Sequence, residues 1–149
     1  MDKRLLFGFI VCLFVLSVSA DAEQDAFEAE VVRLVNIERV KRCMEPLEIS
    51  KDLQISARIK AEEFVTYKYF DHDSPVSGEF SNLIEAQTDE FYYYMAENIA
   101  QGHKTPQQVV DSWMDSPGHK SNILDFSFTH IGVGYCQGNW VQHFGMKSK

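Results

Sequence analysis

The spacing of apolar residues predicts two amphipathic helices in the first half of the chain. Between residues 24 and 42, apolar side chains recur every three or four positions, at Phe27, Val31, Leu34 and Val35. Between residues 51 and 67 they recur in the same way, at Leu53, Ala57, Ala61 and Phe64. This period places one apolar face on each helix. Ser50 is predicted to cap the second helix through its hydroxyl group, and the small alanines predict close packing against a neighbouring element.

The pattern in residues 70–124 predicts loops and shorter helices. Turn-forming residues at 70–80 predict a loop, and Ser81 is expected to cap a short helix after it. The aromatic run at 91–94 is either a strand at the edge of the core or the wall of a ligand site, and the sequence leaves both open. Thr105 and Pro106 predict a helix start, because proline fits the first helical position. Ser-Pro-Gly at 116–118 ends that helix, and a short helical turn is expected at 122–124.

Two late apolar stretches, at 131–135 and 140–144, predict strands. The Gln-Gly-Asn between them favours a tight antiparallel hairpin turn. Because the helices come first and the strands come late, the pattern predicts an α+β sandwich and not a doubly wound parallel sheet. The length of 149 residues fits one domain.

The N-terminus has the organisation of a secretory signal peptide. Lys3 and Arg4 precede an apolar run at 5–18, and Ser19 and Ala20 supply a small-residue cleavage site. A membrane span needs about 20 apolar residues, more than this run offers. The sequence therefore predicts a signal peptide at 1–20, a mature domain at 21–149, a secreted, extracellular product and no integral membrane anchor in that product.

The net charge limits the possible binding partners, and the cysteine content limits the possible disulfides. The formal net charge of −8 argues against binding to nucleic acid or to anionic membranes through bulk charge. Cys43 and Cys136 remain after cleavage of the signal peptide. An oxidising compartment permits a disulfide between them, but the sequence leaves open the alternative of two separate thiols.

Three ionisable residues lie next to turn-forming or loop residues and are the candidates for chemistry: His72, Glu97 and His119. Imidazole is the commonest metal ligand and titrates near neutral pH. Zinc sites often combine two histidines and one carboxylate with a water molecule. From spacing alone the three residues are not linked, and His103, His130 and His143 have no motif support and are assigned to the surface or the sheet.

Several motifs in order resemble the CAP superfamily, which includes cysteine-rich secretory proteins, antigen five and plant pathogenesis-related proteins. The resemblance is strongest to the short bacterial-style SCP-domain branch and covers nearly all of the mature chain. The matching stretches are NIER at 36, PLEISKDL at 46, HDSP at 72, AENIA at 96, WMDSPGHKSNIL at 113, FTHIGVGY at 128 and WVQHFG at 140. It implies a three-layer α-β-α sandwich with a central antiparallel sheet.

The resemblance also implies a cleft with two histidines and two glutamates that holds a divalent cation, often zinc. His72, Glu97 and His119 match three of these positions and are the predicted metal ligands. The fourth position is Ser116 in this chain. Asp115 is one residue away, and its side chain is expected to point about 100° from that direction on a helix. Ala96 replaces a glycine of the family motif.

Three classes of function follow from the resemblance. The first, which we favour, is a secreted module, expected to be monomeric, that binds a small ligand such as a sterol or lipid, or a partner. The second is a metal-dependent hydrolase or protease in which Glu97, His72 and His119 would be catalytic. The third is a defence or interaction protein with a vestigial cleft. Fold alone does not choose among them.

Overall fold

The structure, a computed structural model, describes the backbone of residues 3–147 and the side chains of residues 21–147. The predicted signal peptide at 1–20 lies outside the described side chains. The elements in chain order are α1 (Lys3–Val40), β1 (Glu48–Ile49), α2 (Lys51–Tyr67), α3 (Phe80–Glu85), β2 (Tyr92–Gln101), α4 (Pro106–Asp115), α5 (Pro117–Ile123), β3 (His130–Cys136) and β4 (Asn139–Lys147). Among the described residues, no helix has the length and apolar character that a membrane span requires.

A four-stranded sheet in the order β1-β3-β4-β2 forms the middle layer. The long strands β2, β4 and β3 pair antiparallel, and the two-residue strand β1 pairs parallel to β3, so the sheet is mixed at that edge. Side chains from α1 and α4 pack on one face of the sheet, and side chains from α2 and α3 pack on the other. The expected α-β-α sandwich is confirmed.

The hairpin between β3 and β4 turns through two residues with positive φ, Gln137 at 48° and Gly138 at 82°. Such a pair matches the twist of an antiparallel hairpin, as predicted. Strands β3 and β4 extend one to three residues beyond the predicted bounds. On β4, Trp140 and Phe144 face the α1 side and Val141 faces the α2 side, which is the alternation that a strand buried on both faces requires.

Helix α2 lies directly on strand β3 because two glycines remove the side chains between them. A Cβ atom at Gly132 would lie 2.0 Å from the backbone of Leu53, and one at Gly134 would lie 2.2 Å from the backbone of Ala57. Such distances are far inside van der Waals contact. The close packing that the alanines of α2 predicted is thus completed by glycines on the opposing strand.

Three predictions of local structure differ from the structure. Ser50 is the N-cap residue of α2, but its hydroxyl bonds the Tyr92 hydroxyl at 2.8 Å and makes no capping bond. Glu79, and not Ser81, is the N-cap residue of α3. Helix α5 starts at Pro117, earlier than the predicted turn, because Ser116 is both the C-cap residue of α4 and the N-cap residue of α5. The Thr105 cap of α4 is confirmed, with Gln108 N donating to Thr105 Oγ1 at 3.3 Å.

The two mature cysteines are free thiols. Cys43 and Thr129 line the same hollow next to the start of β3, whereas Cys136 ends that strand. Seven strand residues at about 3.3 Å each separate the two ends by roughly 20 Å. A disulfide needs Cα atoms within about 7 Å, so this fold keeps the two thiols apart.

Candidate functional site

The site is organised by strand β2, which sends neighbouring residues to opposite faces of the sheet. Glu97 pairs in register with His143 on β4, and Asn98 pairs with Gln142. Directly paired residues share a face and consecutive residues do not. Glu97 and His143 therefore lie on the α2 face, and Asn98 and Gln142 lie on the α1 face.

Glu97 holds two imidazoles with its two carboxylate oxygens. His72 Nδ1 lies 2.7 Å from Oε1, and His143 Nε2 lies 2.9 Å from Oε2. His143 Nδ1 contacts Ser56 Oγ on α2 at 2.7 Å. The side chains of Glu97 and His143 are fully buried, whereas that of His72 is 53% exposed. A continuous hydrogen-bonded chain thus runs from Ser56 in the core to His72 at the surface.

Opposing influences set the pKa of Glu97. Burial alone would raise it, but the hydrogen bonds from His143 and His72 outweigh burial and hold the pKa of Glu97 below its ordinary value. A carboxylate that accepts bonds on both oxygens is stabilised in its charged form. Glu97 is therefore a buried anion that is held by its two histidine neighbours.

The two predicted histidines have opposite pKa shifts. The hydrogen bond to Glu97 raises the pKa of His72, against the effect of burial. Burial, followed by the charge on His72, lowers the pKa of His119. The pair thus tends towards one imidazolium and one neutral imidazole.

Buried groups of α2 fix the loop that carries His72. Lys60 Nζ donates to the carbonyl oxygen of His72 at 2.6 Å. The Glu63 carboxylate accepts hydrogen bonds from Ser74 Oγ at 2.6 Å and from Tyr69 Oη at 2.9 Å. Lys60 is fully buried, and that burial lowers its pKa. These bonds hold the loop so that His72 meets Glu97 without being buried itself.

A network of side-chain amides on the opposite face fixes the backbone at His119. Asn98 Nδ2 donates to the carbonyl oxygen of His119 at 3.1 Å and to Gln142 Oε1 at 3.0 Å. Asn122 Nδ2 donates to Asn98 Oδ1 at 2.9 Å. The Asn of the Glu97-Asn98 pair is therefore structural: it holds α5, whose first turn carries His119, against the sheet.

The arrangement brings His72 and Glu97 into direct contact but does not fit a metal site made of His72, Glu97 and His119. Both Glu97 oxygens already accept hydrogen bonds from imidazoles. Within the described part of the chain, no group of three or more His, Cys, Asp or Glu side chains could hold a metal ion. Protein zinc sites use three or four ligands. Glu97 is instead placed as the group that orients His72, as carboxylates do beside functional histidines.

The fourth family position adds no carboxylate. Ser116 stands at the junction of α4 and α5, and Asp115 is exposed.

Sequence reasoning missed three residues of the site: His143, Ser56 and Lys60. His143 was assigned to the surface or the sheet, and it lies in the sheet, but it is fully buried and contacts Glu97. Its apolar neighbours on β4 indicate burial, and a buried histidine needs polar partners. The sequence did not give the register that pairs it with Glu97, so this signal could not be used.

The comparisons with known proteins agree with the fold. The family model described as the cysteine-rich secretory protein family, CAP, matches residues 32–144. The chain therefore belongs to the CAP family.

Curated relatives are longer than this chain. It is 43% identical over 130 residues to the uncharacterized protein YkwD of Bacillus subtilis, covering 86% of this chain and 50% of that protein. It is 29% identical over 121 residues to the uncharacterized membrane protein YlbC of the same species, covering 81% of this chain and 35% of that protein. The chain spans half of the first relative and about a third of the second, so the activities of those whole proteins do not transfer to it.

Solved structures share the fold. An extracellular protein containing an SCP domain from Bacillus anthracis superposes with a TM-score of 0.80 at 26% identity, covering 83% of this chain and 41% of that one. An outer surface protein of Borrelia burgdorferi superposes with a TM-score of 0.71 at 20% identity, covering 78% of this chain and 90% of that one. The second similarity shows the fold alone.

Proposed function

We propose that this protein is a secreted binding module whose cleft at His72, Glu97 and His119 takes a small ligand such as a sterol or lipid. The observation that carries the proposal is the hydrogen-bonded chain that ends at His72. Glu97 occupies Nδ1 of that ring, and the half-exposed ring leaves Nε2 to bond a hydroxyl or an anionic head group.

Exposed apolar side chains on the same loop support an apolar part of the ligand. Phe70 and Val76 flank His72 in sequence and are exposed. Binding sites for small molecules combine apolar walls with a few fixed polar groups. A sterol has this composition, with one hydroxyl on a rigid apolar body.

The hydrolase alternative is not favoured by the geometry. A general base must have a free lone pair within reach of the proton that it takes. The side chain of Glu97 is fully buried and each of its oxygens is bonded to an imidazole, so Glu97 does not face solvent where it could activate water. Zinc binding by the imidazoles of His72 and His119 alone would supply two ligands, fewer than protein zinc sites use.

The test is a saturation assay with labelled cholesterol on the mature protein, whose first residue we expect to be Asp21 by N-terminal sequencing. Saturable binding is expected, and His72→Ala should weaken it roughly tenfold, the effect of one lost hydrogen bond to a charged group. His130→Ala is the matched control, because His130 lies on β3 and strand β4 separates it from β2. Flat counts that unlabelled sterol does not compete would refute the proposal.

A further inference from the structure

A second hollow lies at the end of the molecule where α1 stops. Its volume is about 480 Å³, and it opens between the loop after α1 and the loop before β3. Met44, Pro46, Phe126 and Phe128 form its apolar wall, and Arg39 and Glu48 are among its polar groups. A volume of this size accommodates a small molecule. None of His72, Glu97 and His119 lines this hollow, so it is separate from the proposed cleft.

Two aromatic rings, one that lines this hollow and one that stacks on a lining residue, have surfaces that nothing in the described chain covers. Phe126 is 88% exposed, which is unusual for a large apolar side chain. Tyr94 is half exposed and stacks on Phe128 with ring centroids 4.9 Å apart and planes 2° from parallel. Because Phe128 covers one face of the Tyr94 ring, the exposed part of that ring includes its other face. Parallel support of this kind prepares a ring for stacking with a further flat group.

The polar side of the hollow also has a donor and an acceptor that are available for hydrogen bonds. Arg39 is buried and donates to four carbonyl oxygens, those of Glu45, Ile123, Asp125 and Phe128. A guanidinium has five N–H groups, so one remains. Glu48 adds an exposed carboxylate acceptor at the rim. A donor and an acceptor beside two available aromatic rings suit a ligand with both hydroxyl groups and a flat C–H surface.

We propose that this hollow, together with Tyr94, which stacks on its lining residue Phe128, is a saccharide-binding subsite for neutral β-1,4-linked sugars. Such sugars carry their hydroxyl groups at the ring edge and present flat C–H faces that stack on aromatic rings. The carboxylates of Glu45 and Glu48 at the hollow oppose an anionic ligand. A sterol has a single hydroxyl group, so it would bond at most one of the three available groups, which are the remaining N–H of Arg39 and the carboxylates of Glu45 and Glu48.

The test is a titration of the ¹⁵N-labelled mature protein with cellohexaose and chitohexaose, followed by amide chemical shifts. We expect saturable shifts at residues 44–48, 94 and 126–129, with millimolar or tighter affinity. Phe126→Ala should weaken binding about fivefold, the effect of one lost stacking contact. Tyr67→Ala is the matched control, because Tyr67 is an exposed aromatic at the end of α2, which packs on the face of the sheet opposite to α1.

Three outcomes would overturn the proposal. The first is the absence of shifts with both sugars at millimolar concentration. The second is binding that Phe126→Ala leaves unchanged. The third is saturable cholesterol binding that Phe126→Ala abolishes and His72→Ala does not, which would make the hollow a sterol site. Failure of cholesterol to bind at His72 leaves this test intact, because the sugar titration reads different residues.

Discussion

Glu97 and Asn98 are neighbours in the sequence, but they belong to two networks on opposite faces of one sheet. On the α2 face, Glu97 joins His143 and Ser56 in the core and reaches solvent through His72. On the α1 face, Asn98 joins Gln142 and Asn122. The first network contains a carboxylate and imidazoles, and the second consists of neutral amides.

The two networks also end differently. The Glu97 network ends at a ring that is half exposed and available to a ligand. The Asn98 network ends at Gln142 Nε2, a buried amide nitrogen with no partner in the described chain. An end that meets solvent can take part in binding, whereas a buried end can only contribute to, or reduce, the stability of the fold. The comparison therefore separates the Glu97 network, which reaches solvent at His72, from the Asn98 network, whose role is structural.

Removing the amide network should have the largest effect on stability. Asn98→Ala deletes the bonds to the His119 carbonyl and to Gln142, and the bond from Asn122. Because the lost partners are buried or half-buried and remain polar, we expect the free energy of unfolding to fall by about 3 kcal/mol. Urea denaturation measures this. The loss should not vary with pH, because no amide titrates, and a loss that disappears in acid would place Asn98 in the charged network.

Removing the charge of Glu97 should have a smaller effect that depends on pH. Glu97→Gln keeps the shape but leaves one acceptor for two imidazoles, so we expect a loss of about 2 kcal/mol near pH 6. NMR titration should show the pKa of His72 returning towards its ordinary value, because its bond to Glu97 is the main cause of the shift. A His72 pKa unchanged by the substitution would contradict the structure.

The pH dependence of this second loss has a defined sign. The pKa of Glu97 is lowered on folding, so its contribution is complete above the ordinary value of 4.5 and is lost as pH falls through the folded pKa. The pKa of His72 is raised, so its contribution is complete below 6.5 and is lost as pH rises through the folded pKa. The difference in stability between wild type and Glu97→Gln should therefore be greatest between pH 4.5 and 6.5 and shrink on both sides.

The smallest effect is expected at Gln142. Gln142→Leu loses one hydrogen bond with Asn98, but it also removes the buried nitrogen that has no partner in the described chain. Asn98 Nδ2 retains the His119 carbonyl as an acceptor. These terms offset each other, so we expect a change within about 1 kcal/mol in either direction. Thermal unfolding measures it, and a loss above about 2 kcal/mol would show that a buried water molecule bonds the amide.

Much of the fold was accessible from the sequence because its signals are local. The apolar spacing of α2 predicted its bounds correctly, at Lys51–Tyr67, and Thr105-Pro106 fixed the start of α4. The cap predicted at Ser81 was wrong. Ser50 is the N-cap residue of α2 as predicted, but its hydroxyl does not cap the helix, because Tyr92, 42 residues later, bonds it. Propensity describes what a residue can do locally, and tertiary contacts decide what it does.

The site was accessible in part. Motif resemblance selected His72 and Glu97, which are in direct contact, but it gave His143 no role in the site. Finding it required the register of β2 against β4, and register follows from the packing of the whole sheet. The predicted metal role of Glu97 assumed that no other side chain bonds its oxygens. The types of residue in the sequence do not show which side chains do so.

The glycines of β3 also set the distance between helix α2 and the sheet. Gly132 is the cross-strand partner of His143, and the backbone of α2 fills the space that a side chain would occupy there. Even one methyl group would push the helix outward and carry Ser56 away from the imidazole. The position of the hydrogen-bonded chain that ends at His72 on the surface therefore depends on the absence of a side chain at Gly132 in the interior.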